Sequence, residues 1–258
     1  MSAFLGMPLP RPGGPVAVAD LDARAAQLRS GREPYVLATV VRARRPASAR
    51  AGDRALVLPD GTVEGFVGGH CALDTVRAQS LRLLELRRDG RATLLRITPE
   101  ADEPREEEGL VAVGQPCLSG GTLEIFLEAV LPPVLVHVYG DGPIARSFAA
   151  VGRAIGYQVE AAAGAWTPIA PDTAAVLVAS HGVSEEPVLR AALAAAVPYV
   201  GLIASRRRGA AVLAAVDGGG RVHVPVGLDL GARTPGEVAV SVYAQIIELG
   251  VPGPSGSR

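Results

Sequence analysis

The apolar positions of this chain change rhythm at Leu131-Pro132-Pro133. Before that point they fall into separate runs of different kinds. A helical stretch over Leu21–Leu28 precedes Tyr35-Val36-Leu37-Ala38-Thr39-Val40-Val41, an unbroken β-branched run that reads as a buried strand. Arg54–Leu58 and Thr62–Val67 flank Pro59-Asp60-Gly61 and read as a hairpin. Gly68-Gly69-His70-Cys71 leads into a helix with Leu73, Val76, Leu83 and Leu84 roughly on one face. Ala92–Ile97 and Leu123–Val130 read as further strands. The charged run Pro99–Glu108 between them holds two prolines and reads as a solvated loop rather than a cation site.

After the prolines, which interrupt both helix and sheet, strands and helices alternate. Val134–Tyr139 is a strand, Ile144–Ile155 a helix, and Gln158–Ala162 and Ala175–Ser180 are strands. Glu185–Ala196 is a helix, Tyr199–Ile203 a strand and Thr234–Leu249 the final helix. That helix opens on Thr234-Pro235-Gly236-Glu237, with a threonine cap, proline at the first helical position and glutamate at the third, which is a capping box. The fold class is therefore α/β, with an N-terminal mixed α/β domain over residues 21–131 and a Rossmann-like parallel-sheet domain over residues 134–250. Residues 1–20, rich in proline and glycine, read as loosely ordered, and residues 251–258 as a flexible tail.

Composition narrows the function classes. The chain has 258 residues, 48% of them hydrophobic, enough to build a real core. Its formal net charge of −1 gives no reason to expect nucleic acid or an anionic membrane. All 25 basic side chains are arginine, which excludes Schiff-base lysine chemistry and a Walker-type phosphate lysine. No leader pattern and no membrane-length apolar run is evident, so the expectation is a cytoplasmic protein whose two cysteines are reduced thiols.

Gly140-Asp141-Gly142-Pro143-Ile144-Ala145 has the form G-x-G-x-x-A, directly after an apolar strand and at the head of a helix. Gly140 permits the tight turn, Gly142 lets a phosphate reach the backbone, and Ala145 keeps helix and strand close. The helix N-terminus then offers its unpaired N–H groups to an anion. A strand-to-helix turn that binds nothing remains the alternative. In dinucleotide-binding domains the second strand ends in an acid that holds the ribose. Here Glu160 sits mid-strand and Ala161-Ala162-Ala163 closes it, which argues against ordinary NAD(P) binding.

Ser180 and His181 lie where a strand ends, the place where open α/β sheets put ligands, and His181 reads equally as a cap or as a ligand or base. His137 and His223 lie within apolar strands and read as structural. Ser205-Arg206-Arg207-Arg208 suits phosphate recognition, or a solvated helix start. Cys71 and Cys117 are each flanked by glycines, Cys71 at the head of a helix where the dipole favours thiolate. Two soft thiolates suit molybdenum, a persulfide or another soft metal, while the alternative is a pair of small buried hydrophobes.

Several long strings carry a resemblance. They are Val36–Arg42, Gly61 through Cys71, Ser119–Phe126, the glycine loop, Pro198–Arg208 and above all Pro225-Val226-Gly227-Leu228-Asp229-Leu230-Gly231-Ala232-Arg233-Thr234-Pro235-Gly236-Glu237. From Tyr35 to Leu249 the chain resembles the xanthine dehydrogenase accessory protein family, XdhC/CoxI. The wording around both cysteines looks closest to a branch associated with carbon monoxide dehydrogenase-type hydroxylases. The resemblance implies a chaperone rather than a turnover enzyme. Such a protein binds molybdenum cofactor (molybdopterin, in the simple or the dinucleotide form), helps present it for sulfuration and hands it to a molybdenum hydroxylase.

The implied partners are the apo-subunit of that hydroxylase, a sulfurtransferase, a paralogue of the same family and further copies of this chain. The implied cofactor-binding residues are Gly140, Asp141, Gly142, Pro143, Ile144, Ser180, His181, Ser205, Arg206 and Arg207, with Cys71 and Cys117 facing metal or sulfur. The chain departs from the common family form at His70, at Ala72-Leu73, at Ala163 and along Arg45–Arg50. Two other classes stay open: an NAD(P)-dependent oxidoreductase using the same loop, and a non-catalytic assembly scaffold.

Overall fold

The computed structural model describes residues 18–86, 92–100, 105–115, 121–162 and 168–251. Most of the two terminal segments expected to be loose lies outside these residues, as do Cys117 and Ala163. The chain divides into two compact units between Pro132 and Pro133.

The first unit is built on a seven-stranded sheet. Its elements are α1 (Val18–Ser30), β1 (Tyr35–Arg44), β2 (Arg54–Val57), β3 (Val63–Gly65), α2 (His70–Glu85), β4 (Ala92–Thr98), β5 (Arg105–Glu107), β6 (Leu110–Gly114) and β7 (Thr122–Val130), in the sheet order β3-β2-β1-β7-β4-β6-β5. Pairing is antiparallel except between β4 and β6. Period-2 alternation places Val36, Ala38 and Val40 of β1 beside Leu123, Ile125, Leu127 and Ala129 of β7 in one core. Over that core lies α2, which buries Ala72, Val76, Ser80 and Leu83 at helical spacing, with Leu73 and Leu84 partly buried at its margin. A smaller cluster, Leu21, Ala25 and Leu28 of α1 with Tyr35 and Leu56, forms separately.

The charged segment expected to be a loop contributes an exposed strand, β5, where it is described. An edge strand needs only one hydrogen-bonding neighbour, and charged side chains at an edge discourage further pairing. Arg105, Glu106 and Glu107 take that position against Ala112, Val111 and Leu110 of β6, a strand the periodicity did not reveal.

The second unit contains β8 (Leu135–Tyr139), α3 (Pro143–Ala154), β9 (Gln158–Ala162), β10 (Thr173–Val178), α4 (Glu185–Ala194), β11 (Tyr199–Leu202), α5 (Arg206–Leu213), β12 (Val222–His223) and α6 (Pro235–Glu248). All five strands are parallel, in the order β12-β11-β10-β8-β9. Counted within the unit this is the doubly wound order 2-1-3-4-5. Both faces are covered. On one side α3 and α6 enclose Val136, Val138, Phe148, Val242 and Ile246. On the other, α4 and its neighbours enclose Val176, Val178, Leu189, Val200 and Leu202. Burial on both faces explains why β8, β10 and β11 read as continuous apolar runs.

Doubly wound sheets reverse direction once, and loops at the carboxyl ends of the strands part there to leave a crevice. The reversal falls between β8 and β10, whose last residues Tyr139 and Val178 lie side by side.

Candidate functional site

The glycine loop sits at that reversal. The Gly140 N–H donates to the Ala162 carbonyl at 3.0 Å, and the Ala179 N–H to the Tyr139 carbonyl at 2.7 Å, so the ends of β8, β9 and β10 are stitched together beneath it. Gly140 has φ +130°, and a Cβ there would lie 2.3 Å from the Ala179 carbonyl oxygen. Only glycine fits. Gly142 caps α3 with extended backbone and no side-chain hydrogen bond, and Pro143 occupies the first helical turn. The remaining amide groups of that turn are therefore open to an external acceptor. Ala145 is buried, Ile144 is half-buried and Asp141 is exposed. The Asp141 carbonyl accepts a hydrogen bond from Arg146 Nη1, which places a cation at the loop.

His181 approaches the same loop from β10. A Cβ on Gly142 would come within 2.8 Å of its Nε2. Its turn is strained: His181 has φ 53° and Ser184 φ 52°, with Gly182 between them at φ 101°. Ser180 Oγ donates to the Val183 carbonyl at 2.7 Å and closes the turn. The Gly182 N–H donates to Glu185 Oε1 at 2.8 Å, and Glu185 Oε2 pairs with Arg208 Nη2.

The arginine run divides by role. Ser205 caps α5, its Oγ accepting from the Arg208 N–H at 3.4 Å. Arg206 and Arg207 are exposed on the first turn of α5, while Arg208 is committed to Glu185.

In the first unit, α2 starts at His70 on the Gly69 cap, again without a side-chain hydrogen bond, so Cys71 lies inside the first helical turn. Its half-buried side chain borders a small cleft shared with Pro46, Ser48, Gly69, Gln115 and Gly121. Gly121 is required for that cleft, since a Cβ would fall 2.4 Å from the Pro46 carbonyl oxygen. Thr75 Oγ1 donates to Gln115 Oε1 at 2.6 Å and lies 3.2 Å from the Cys71 carbonyl oxygen, tying the helix to the cleft wall. Among the described residues no cluster of three or more His, Cys, Asp or Glu side chains is arranged to hold a metal ion.

Residues 136–246 match the XdhC Rossmann domain, and residues 28–98 match the XdhC and CoxI family. This chain belongs to the XdhC/CoxI family. The Escherichia coli (strain K12) protein called uncharacterized protein YqeB is 27% identical over 267 residues, covering 90% of this chain and 46% of its own length. The chain thus spans about half the length of the curated relative it matches. A crystal structure from Bacillus halodurans, described as a xanthine dehydrogenase, is 17% identical with a TM-score of 0.40, covering 88% of this chain and 95% of that one.

For this XdhC/CoxI protein the structure brings Gly140, Gly142, Ser180 and His181 to one edge of the parallel sheet. Cys71 belongs to the other unit. Glu160 is exposed in mid-strand, paired with His137, and β9 ends at Ala162 without a carboxylate. His137 is buried, and its Nε2 has no partner among the described residues. Burial holds its imidazole below the ordinary value, against the opposing pull of Glu160 and Asp172. His223 is held down by burial too and stacks on Tyr199 at 4.7 Å. Two participants escaped sequence reasoning. They are Arg146, whose partner is the Asp141 carbonyl, and Glu185, whose partner is an arginine 23 residues away. No described helix is long and apolar enough to cross a membrane.

Proposed function

We propose that this protein is an accessory chaperone for a molybdenum hydroxylase of the xanthine dehydrogenase type, binding molybdenum cofactor and presenting it for sulfuration and insertion. The observation that carries the reading is Gly142. It leaves the first turn of α3 without a side-chain cap, at the reversal of a doubly wound sheet, with His181 against it and Arg146 on the next turn. That donor set suits a phosphate group: backbone N–H groups, a helix dipole and a nearby guanidinium. A Cβ at Gly142 would occupy space beside His181, so the residues present fit the phosphate end of a pterin cofactor. Asp141, Pro143 and Ile144 shape the loop, Ser180 shapes the His181 turn, and Ser205, Arg206 and Arg207 add a cap and two exposed cations at the neighbouring strand end. β9 supplies no ribose-binding carboxylate, so the reading gives NAD(P) no part.

Cys71, in the uncapped first turn of α2, is the soft donor for metal or for transferred sulfur, together with Cys117. When bound, the cofactor supplies the molybdenum centre that the client hydroxylase uses. This chain binds, shields and releases it. The partners in that reading are the apo-hydroxylase and a sulfurtransferase, and the compartment is the cytoplasm.

Retention of molybdenum by the purified protein tests the thiol assignment. Cys71→Ala and Cys117→Ala are expected to lower the molybdenum content severalfold, and the double variant further, with melting temperature nearly unchanged. Wild-type molybdenum content in all three variants would remove the thiols from the mechanism.

A further inference from the structure

Two non-glycine residues in one short turn have left-handed backbone, and something must hold them there. Each such residue costs about 1–2 kcal/mol relative to its relaxed conformation, so the turn persists only when its surroundings fix it. Ser180 Oγ closes the turn locally through the Val183 carbonyl. The tie from outside the turn is Glu185. Its carboxylate is 4% exposed, accepts the Gly182 N–H through Oε1 and engages Arg208 Nη2 through Oε2.

We propose that Glu185 is a positioning residue for His181, locking the imidazole over the glycine loop and tying it to α5. This rests on the reading of the glycine loop as a phosphate grip. The Gly182 N–H belongs to the peptide group that joins His181 to Gly182. Holding that N–H fixes the peptide plane, which sets ψ of His181 and φ of Gly182, and so holds the left-handed turn in which Nε2 lies against Gly142. Without the carboxylate that peptide is free to rotate, the turn relaxes, and the His181 ring leaves the loop. The imidazole is exposed, and an open cleft of about 370 Å³ borders the rest of the turn at Gly182, Ser184 and Glu185.

Arg208 completes the device. It neutralises a carboxylate that burial would otherwise penalise, and it sits in the first turn of α5, beside Arg206 and Arg207. The turn after β10 and the helix after β11 are thereby held in one arrangement. Of the three consecutive arginines, the one that is half-buried serves the scaffold and the two exposed ones are left for a ligand.

The test is pyrophosphate titration of the full chain by calorimetry, with Glu185→Ala, His181→Ala and the double variant forming a cycle. Glu185→Ala is expected to weaken binding about tenfold in the otherwise native chain, and less than about twofold once His181 is alanine. Glu185→Gln keeps an acceptor for Gly182 and removes the charge facing Arg208. It is expected to weaken binding less than alanine does, and its effect too should vanish in the His181→Ala background. A role in general stability would give the same loss in both backgrounds, and that result, or no loss from Glu185→Ala, overturns the proposal. Should the alanine variant not fold, the glutamine cycle decides between the same two outcomes. If the native chain binds no pyrophosphate, the phosphate-grip reading itself fails and this inference falls with it.

Discussion

Two glycines separated by one residue do different work at the head of α3. Gly140 is held by backbone geometry: positive φ and the Ala179 carbonyl 2.3 Å from any Cβ leave no alternative residue. Gly142 has ordinary extended backbone, and its Cβ would meet only an exposed imidazole. Gly140→Ala should therefore cost about 3 kcal/mol of stability, from strain and overpacking together. Gly142→Ala should cost about 1 kcal/mol at most, from the poorer cap, yet weaken pyrophosphate binding by displacing His181. Thermal melts paired with titrations separate the two, and equal stability losses would contradict the division of roles.

His137 makes a second residue-scale prediction. Its folded-state proton affinity is lowered by burial, whereas in the unfolded chain it titrates near 6.5. Below that pH the unfolded state binds a proton that the folded state refuses, so stability is full above about 6.5 and falls as the pH drops towards the folded value. His223 acts in the same sense. His137→Leu should flatten, though not abolish, the loss of stability as the pH falls below about 6.5 in urea melts. An unchanged slope would mean that His137 does not titrate differently in the two states.

At the scale of elements, α3 and α6 form the tightest helix pair next to the site. Phe148 stacks on Tyr243 with centroids 4.3 Å apart, and Tyr157 tilts against the same ring at 5.1 Å. Gly152 permits this approach, since a Cβ there would lie 1.9 Å from the Tyr243 hydroxyl. Gly152→Ala would gain helix propensity but should lose about 2 kcal/mol overall through overpacking. Tyr243→Phe removes the clashing atom, a buried hydroxyl with no partner among the described residues. It should be nearly neutral alone and relieve part of the Gly152→Ala loss, because Cζ of the ring and Val159 Cγ2 still crowd the position at 2.7 Å. Full additivity in a double-variant melt would contradict this packing account.

These elements also show what a single sequence can carry. The runs in β1, β7, β8 and β10 and the Thr234 capping box are local signals, and each appears as expected. The edge pair β5 and β6 was missed, because it owes its structure to a ladder with distant partners. The helix start at Ser205–Arg208 was one of two readings, and α5 begins there. Likewise the glycine loop was legible because its backbone demands glycine locally. The Glu185–Arg208 tie was not, because 23 residues separate its ends.

For the whole molecule, the doubly wound order explains why residues about forty positions apart in the chain, Gly142 and His181, meet at one edge: the sheet reverses between the strands that precede them. Membership of the XdhC/CoxI family accounts for the Rossmann domain that carries that edge, and the proposed function makes the edge a cofactor grip rather than a redox site. In the proposed function the glycine loop holds the phosphate end of molybdenum cofactor. Native mass spectrometry of the full chain, purified from cells that make the cofactor, tests it most directly. An adduct carrying molybdenum and pterin mass is expected on the native chain and lost in Gly142→Asp. A native chain that shows only its own mass, or an equal adduct on Gly142→Asp, would contradict it.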